Sequence, residues 1–102
     1  MINILASLSI SETKGDASAQ FNLGLMYYAN GEDVQQDYKQ AFYWFQKAAH
    51  QGNAKAQYNL GAFYINGYGV PKDIRQGVYW LQKAANQGDQ DAQKILKQLG
   101  YK

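Results

Sequence analysis

The chain has 102 residues, 46% of them hydrophobic, which suffices for one domain with one modest core. A formal net charge of +2 without basic runs argues against nucleic-acid binding, and no apolar stretch reaches the roughly 18 residues of a membrane span. The lack of cysteine excludes disulfides, thiolate metal sites and a cysteine nucleophile.

The first 15 residues are predicted to form an N-terminal capping helix. Their apolar stretch has no positively charged start and is interrupted by Asn3 and Ser7, so we interpret it as structure and not as a signal peptide. This interpretation favours a cytoplasmic location. A periplasmic or secreted location, and derivation from a longer protein, stay open.

After this segment the sequence repeats itself with an offset of about 36 residues, a period typical of stacked helical units. In the first half of the unit, Ala19, Leu23 and Tyr27 are four residues apart, which indicates one face of an α-helix. Gly24 and its counterpart Gly61 lie in the middle of these helices, where glycine costs about 1 kcal/mol relative to alanine. The repeated cost predicts that a neighbouring helix approaches closely.

The second half of each unit is predicted to form another helix, over about residues 38–51 and 74–87. Five residues of each helix share one stripe: Ala41, Trp44, Phe45, Ala48 and Ala49 in the first, and Gly77, Trp80, Leu81, Ala84 and Ala85 in the second. Trp44 and Trp80 are therefore predicted to pack in the core.

Capping residues mark the ends of the predicted helices. The predicted N-caps are Asp16, Asp37, Asn53, Asp73 and Asp89, whose side chains can accept a backbone N–H of the first turn. Gly52 and Gly88 follow the second helices and suit left-handed C-terminal caps.

The pattern resembles the Sel1-like repeat family, a relative of the tetratricopeptide repeats, with the motif A-x-A-x-x-x-L-G-x-x-Y-x-x-G-x-G-V-x-x-D-x-x-K-A-x-x-W-x-x-K-A-A-x-x-G. The second unit carries Ala54, Ala56, Leu60, Gly61, Tyr64, Gly67, Gly69, Val70, Asp73, Trp80, Lys83, Ala84, Ala85 and Gly88. The first unit matches similarly but has Asp33 in place of the second loop glycine. The resemblance implies an all-α fold in the form of a right-handed α-α superhelix. It also implies a role as an adaptor, which is the main role of the members of this family, many of them bacterial.

The resemblance also implies how the chain is divided. The predicted segments are an N-terminal capping helix (1–15), two helix-loop-helix repeats (16–52 and 53–88) and a C-terminal capping helix (89–102).

In the related tetratricopeptide fold the first helices of the repeats line a concave groove, and the resemblance implies the same here. The residues that it assigns to this groove or its edge are Phe21, Asn22, Leu25, Tyr28, Lys55, Tyr58, Asn59, Ala62, Lys94 and Gln98. We interpret them as anchors for a peptide segment or one partner protein, with Lys55 and Lys94 engaging acidic groups. The alternative is ordinary packing between helices, which applies above all to Phe21.

The predicted function is a non-catalytic adaptor or inhibitor that acts as a monomer or weak homodimer. No cofactor or metal is expected, because His50 is the only histidine and has no cluster of ligating residues near it in sequence. One alternative is β-lactam- or peptidoglycan-related enzyme activity, as linked to cysteine-rich relatives. The other is a structural unit that assembles with itself through the solenoid ends.

Overall fold

The computed structural model describes residues 15–30 and 35–101, and over these residues it contains five α-helices. They are α1 (Ala17–Asn30), α2 (Gln35–His50), α3 (Ala54–Asn66), α4 (Ile74–Asn86) and α5 (Gln90–Gln98). Each helix packs against the next one along the chain, as in a helical solenoid. The predicted N-terminal capping helix lies outside the described residues, apart from its last position.

Side-chain caps begin four of these helices, as predicted. Side-chain oxygens of Asn53, Asp73 and Asp89 accept the backbone N–H three residues further on, at 2.8, 3.1 and 2.9 Å. At the start of α1, Asp16 accepts from the backbone N–H of Ser18 at 2.9 Å and from that of Ala19 at 3.2 Å. Each cap satisfies donors that the first turn of a helix leaves unpaired.

The predicted N-cap at Asp37 is wrong. Helix α2 begins at Gln35, so Asp37 lies inside its first turn. The sequence before Asp37 explains the earlier start, because Gln35 stands where the second repeat has Pro71, and glutamine is a far better helix former than proline. Within the first turn, the carboxylate lies near the positive end of the helix dipole.

Left-handed glycines end the second helices, as predicted. Gly52 has φ +97° and Gly88 has φ +98°. In both cases the following residue donates to the carbonyl five positions back, from Asn53 to Ala48 at 3.2 Å and from Asp89 to Ala84 at 3.1 Å. This pair of motifs turns the chain directly into the next helix.

The mid-helix glycines lie where neighbouring helices approach most closely, which confirms the prediction. A β-carbon at Gly24 would lie only 2.6 Å from Cδ1 of Phe45. A β-carbon at Gly61 would lie 2.8 Å from both the carbonyl oxygen of Gly77 and Cγ of Leu81. Neither position has room for a side chain in a core packed at ordinary density.

The two tryptophans differ in burial. Trp80 is only 6% exposed and packs with Ala48 and Ala49 of the preceding repeat, so its predicted place in the core is confirmed. Trp44 is only half-buried, which departs from the prediction. Trp80 contacts Ala48 and Ala49, and the equivalent positions for Trp44, one period earlier, are 12 and 13. These two positions lie outside the described residues.

A buried glutamine joins the two repeats. Gln57 donates from Nε2 to the carbonyl of Ala49 at 3.2 Å, and its Oε1 accepts a bond from Gln87 at 3.0 Å. Gln87 also donates to the carbonyl of Gly52 at 2.8 Å. The two glutamine amides thus donate to two backbone carbonyls of the first repeat, and Gln87 also pairs the amide oxygen of Gln57. These bonds offset the cost of burying the Gln57 amide.

Candidate partner-binding groove

A groove of about 280 Å³ opens along the first helices of the repeats and the C-terminal helix. Its lining residues come from α1, α3 and α5, with two more from α2 and the loop after α3: Leu25, Tyr28, Phe45, Tyr58, Asn59, Ala62, Phe63, Asn66, Tyr68 and Ile95. This volume accommodates one or two side chains of a partner and is small for a drug-sized ligand.

The floor of the groove is rigid and apolar. Phe45 and Phe63 are buried, and their rings meet edge to face at 5.3 Å. Above them, Leu25 and Tyr28 remain 37% and 43% exposed. The groove therefore combines a fixed aromatic base with apolar surface that a partner could still bury.

Three tyrosine rings form a stack at one end of the groove. Tyr38 and Tyr68 lie nearly parallel with centroids 4.7 Å apart, and Tyr28 stacks on Tyr38 at 5.9 Å. Tyr38 belongs to α2 and Tyr68 to the loop after α3, so the stack ties that loop to the preceding repeat. The loop is thereby fixed as part of the groove wall.

Burial and two nearby carboxylates affect the Tyr58 hydroxyl. Burial raises the pKa of Tyr58, and the nearby carboxylates of Asp91 and Asp89 and the Tyr28 hydroxyl raise it further. At neutral pH the hydroxyl is protonated and can donate a hydrogen bond into the groove.

Five of the ten residues predicted for the groove line it: Leu25, Tyr28, Tyr58, Asn59 and Ala62. The other five do not line it: Phe21, Asn22, Lys55, Lys94 and Gln98. The ring of Phe21 turns instead toward Phe45, at 5.8 Å, and packs with the core. Lys55 and Lys94 are exposed outside the groove.

Sequence reasoning missed Asn66, Tyr68 and Ile95. On α3 the groove continues from Ala62 by a step of four residues to Asn66, whereas the predicted residues on this helix end at Ala62. Strict four-residue spacing was the available signal for Asn66. Tyr68 carried no such signal, because it lies in a loop.

Family comparison decides what kind of protein this is. Residues 17–53 and 54–89 each match the family model of the Sel1 repeat. The chain belongs to the Sel1 repeat family. Sel1 repeats are generally protein–protein interaction modules, which is the coarse form of the function predicted from the sequence.

Two solved Sel1 repeat structures are similar to this chain. A Sel1 repeat protein from Oxalobacter formigenes is 44% identical, with a TM-score of 0.78 over 93% of this chain and 26% of its own. A protective antigen present in uropathogenic Escherichia coli strains, which displays the same fold, is 39% identical, with a TM-score of 0.80 over 96% of this chain and 22% of its own.

A curated plant protein also matches part of this Sel1 chain. It is the ERAD-associated E3 ubiquitin-protein ligase component HRD3A of Arabidopsis thaliana, 33% identical over 54 residues. The match covers 53% of this chain and 8% of the plant protein. The present Sel1 chain thus spans a small part of each of these relatives.

Two further properties concern the described part of this Sel1 chain. Within residues 15–30 and 35–101, no three side chains of His, Cys, Asp or Glu lie together as a metal site would require. None of the five described helices is both long enough and apolar enough to cross a membrane.

Proposed function

We propose that this Sel1 repeat chain is a non-catalytic interaction module that binds a peptide segment, or one partner protein, in the groove along α1, α3 and α5. The observation that carries the proposal is the groove itself, in which exposed apolar side chains lie over a rigid aromatic floor. Hot spots of protein interfaces have this composition, with aromatic anchors around a pocket that excludes water.

The size of the groove favours a short linear segment. A volume of about 280 Å³ accepts one or two anchoring side chains, and the rims formed by Leu25 and Tyr28 can cover them. Asn59 and Asn66 add amide groups that can both donate to and accept from a peptide backbone. An extended segment presents such backbone groups at regular intervals.

The charges near the groove indicate which residues a partner segment should carry beside its apolar anchor. Lys55 and Lys94, predicted to engage acidic groups, do not line the groove, whereas Asp89 and Asp91 act on the Tyr58 hydroxyl. We therefore propose an apolar anchor flanked by a neutral or basic residue. An acidic residue beside Tyr58 would meet like charge.

The non-catalytic part of the proposal rests on chemistry. Hydrolysis commonly uses a metal ion or a nucleophile beside a base. The described residues hold no cluster of three metal-ligating side chains, and no serine, cysteine, histidine or lysine lines the groove. The groove is instead lined by phenol, amide and apolar side chains.

The test is selection of peptides from a random library displayed on phage, followed by affinity measurement on variants. Selected peptides should bind Tyr58→Ala roughly 30-fold more weakly, because truncating an aromatic hot spot removes about 2 kcal/mol of binding free energy. Tyr101→Ala is the matched control, since Tyr101 is exposed outside the groove. Equal binding of the selected peptides to both variants would place the binding surface elsewhere and overturn the proposal.

A further inference from the structure

A second aromatic surface lies on the second helices of the two repeats and shares no residue with the groove. It centres on Tyr43 of α2 and Tyr79 of α4, which are 49% and 51% exposed. Each ring meets the neighbouring tryptophan edge to face, Trp44 at 4.9 Å and Trp80 at 5.1 Å. Two large exposed rings thus occupy equivalent places in consecutive repeats.

A lysine lies over each tyrosine ring. The Nζ atoms of Lys47 and Lys83 are both 5.3 Å from the ring centroids of Tyr43 and Tyr79. The four-residue spacing on a helix produces both contacts, and the attraction between cation and ring holds each ammonium group in place. We name these four residues the Tyr–Lys surface.

A depression of about 350 Å³ adjoins the Tyr–Lys surface between the end of α2 and helix α4. Trp80 and Tyr79 form one side of it, and His50 lies against Trp80 with ring centroids 5.0 Å apart. Lys83 also borders the depression, so a lysine side chain adjoins a space that could receive a side chain of a partner.

The surrounding charge is positive. Helices α2 and α4 carry Lys39, Lys47, Arg75 and Lys83 against the single acid Asp37, a formal charge of 4 − 1 = +3. The entire chain carries only +2, so the second helices are more positive than the molecule as a whole.

We propose that the Tyr–Lys surface binds an acidic, extended segment of a partner protein. Carboxylates of that segment pair with Lys47 and Lys83, and the side chain between them enters the depression beside Tyr79. The lining of this depression combines aromatic rings with polar groups. Lys47 and Lys83 occupy equivalent places in consecutive repeats, and Trp80 of α4 packs with alanines of α2. An extended segment advances about 3.3 Å per residue, so one segment can run from one lysine to the other.

A protein segment fits this surface better than a nucleic acid. Only two cations lie over the rings, and a net charge of +2 gives the chain no extended basic stripe for a phosphate backbone.

The experiment titrates the ¹⁵N-labelled chain with the blocked peptide Glu-Glu-Leu-Glu-Glu at low salt and follows backbone amide shifts. We expect the shifts to cluster around the Tyr–Lys surface. The variant Lys47→Glu with Lys83→Glu should weaken binding at least about tenfold, and added salt should weaken binding to the unaltered chain.

The control variant carries Lys72→Glu and Lys97→Glu, which change the net charge equally, from +2 to −2, at exposed positions outside both surfaces. At a salt concentration that screens long-range attraction, this control variant should bind the peptide within about twofold of the unaltered chain. Far-UV circular dichroism checks that both variants are folded.

Several results would overturn the proposal. These are equal weakening in both variants, shifts that cluster in the groove around Leu25 and Tyr58, and absence of shifts at millimolar peptide. Tighter binding of an oligothymidylate of matched charge would overturn the assignment to a protein partner. The phage-selected peptides bind or fail independently of these variants, so the two proposals are tested separately.

Discussion

The two repeats each bring two helices together at a glycine, but they fill the space opposite that glycine differently. In the first repeat, Gly24 faces the ring of Phe45. In the second repeat, Gly61 faces the backbone carbonyl of Gly77 and the side chain of Leu81. One repeat thus packs a helix against an aromatic side chain, and the other packs it partly against backbone, which has less freedom to yield.

The largest expected effect comes from Gly61. Leucine at this position would force α3 away from α4, and we expect a loss of more than about 4 kcal/mol in the free energy of unfolding.

Alanine at each of the two glycines allows a finer comparison of the repeats. Overpacking by the added methyl group costs about 1–3 kcal/mol, and the better helix propensity of alanine returns about 1 kcal/mol. We expect Gly61→Ala to destabilise more than Gly24→Ala, as measured by urea unfolding. The reverse order would show that the Phe45 ring is the stiffer neighbour.

A smaller effect distinguishes a glutamine inside the stack from its counterpart at the end. Gln57→Ala removes the bond to the carbonyl of Ala49 and leaves that buried acceptor without its partner, which should cost about 2–3 kcal/mol. Gln93 makes only the equivalent bond to Ala85 at 3.2 Å and is exposed, so Gln93→Ala should cost about 1 kcal/mol or less. Urea unfolding of both variants tests the difference, and equal losses would mean that the bridge between repeats adds nothing.

The smallest expected change in stability concerns Asp37 and Asp73, which occupy corresponding positions in the two repeats. Asp73 caps α4, so Asp73→Ala should cost about 1 kcal/mol while Asp73→Asn should be nearly neutral, because asparagine caps equally well. Asp37 lies within α2 and acts through its charge, so both Asp37→Ala and Asp37→Asn should cost about 0.5 kcal/mol. Thermal unfolding of the four variants would contradict this distinction if Asp37→Asn were neutral as well.

Much of the fold could be predicted because its determinants are local. Asn53, Asp73 and Asp89 cap helices by reaching only three residues along the chain, and Gly52 and Gly88 turn it by their own φ angles. The close approach at Gly61 was also predictable, because a glycine repeated at a cost in helix propensity indicates a neighbour.

The groove was predicted less completely, because its lining depends on how helices are rotated against each other. Ile95 lines the groove from α5, and its place there depends on how α5 lies relative to α1 and α3, which the sequence pattern on a single helix does not resolve. Phe21 was placed in the groove by analogy, whereas its contact with Phe45 depends on a ring from another helix. Tyr68 entered the site through a stack with Tyr38, thirty positions earlier in the chain.

The bridge from Gln57 through Gln87 to Gly52 has a consequence for how the chain comes apart. Repeat arrays can open unit by unit when the coupling between neighbouring units is weak. Here, fraying of α4 at its C-terminal end breaks the bond that Gln87 makes to Gly52, which ends the preceding repeat. Opening the second repeat further also removes Trp80 and Gln57 from the buried end of α2, with which they pack and bond. Hydrogen exchange should therefore protect both repeats as a single cooperative unit.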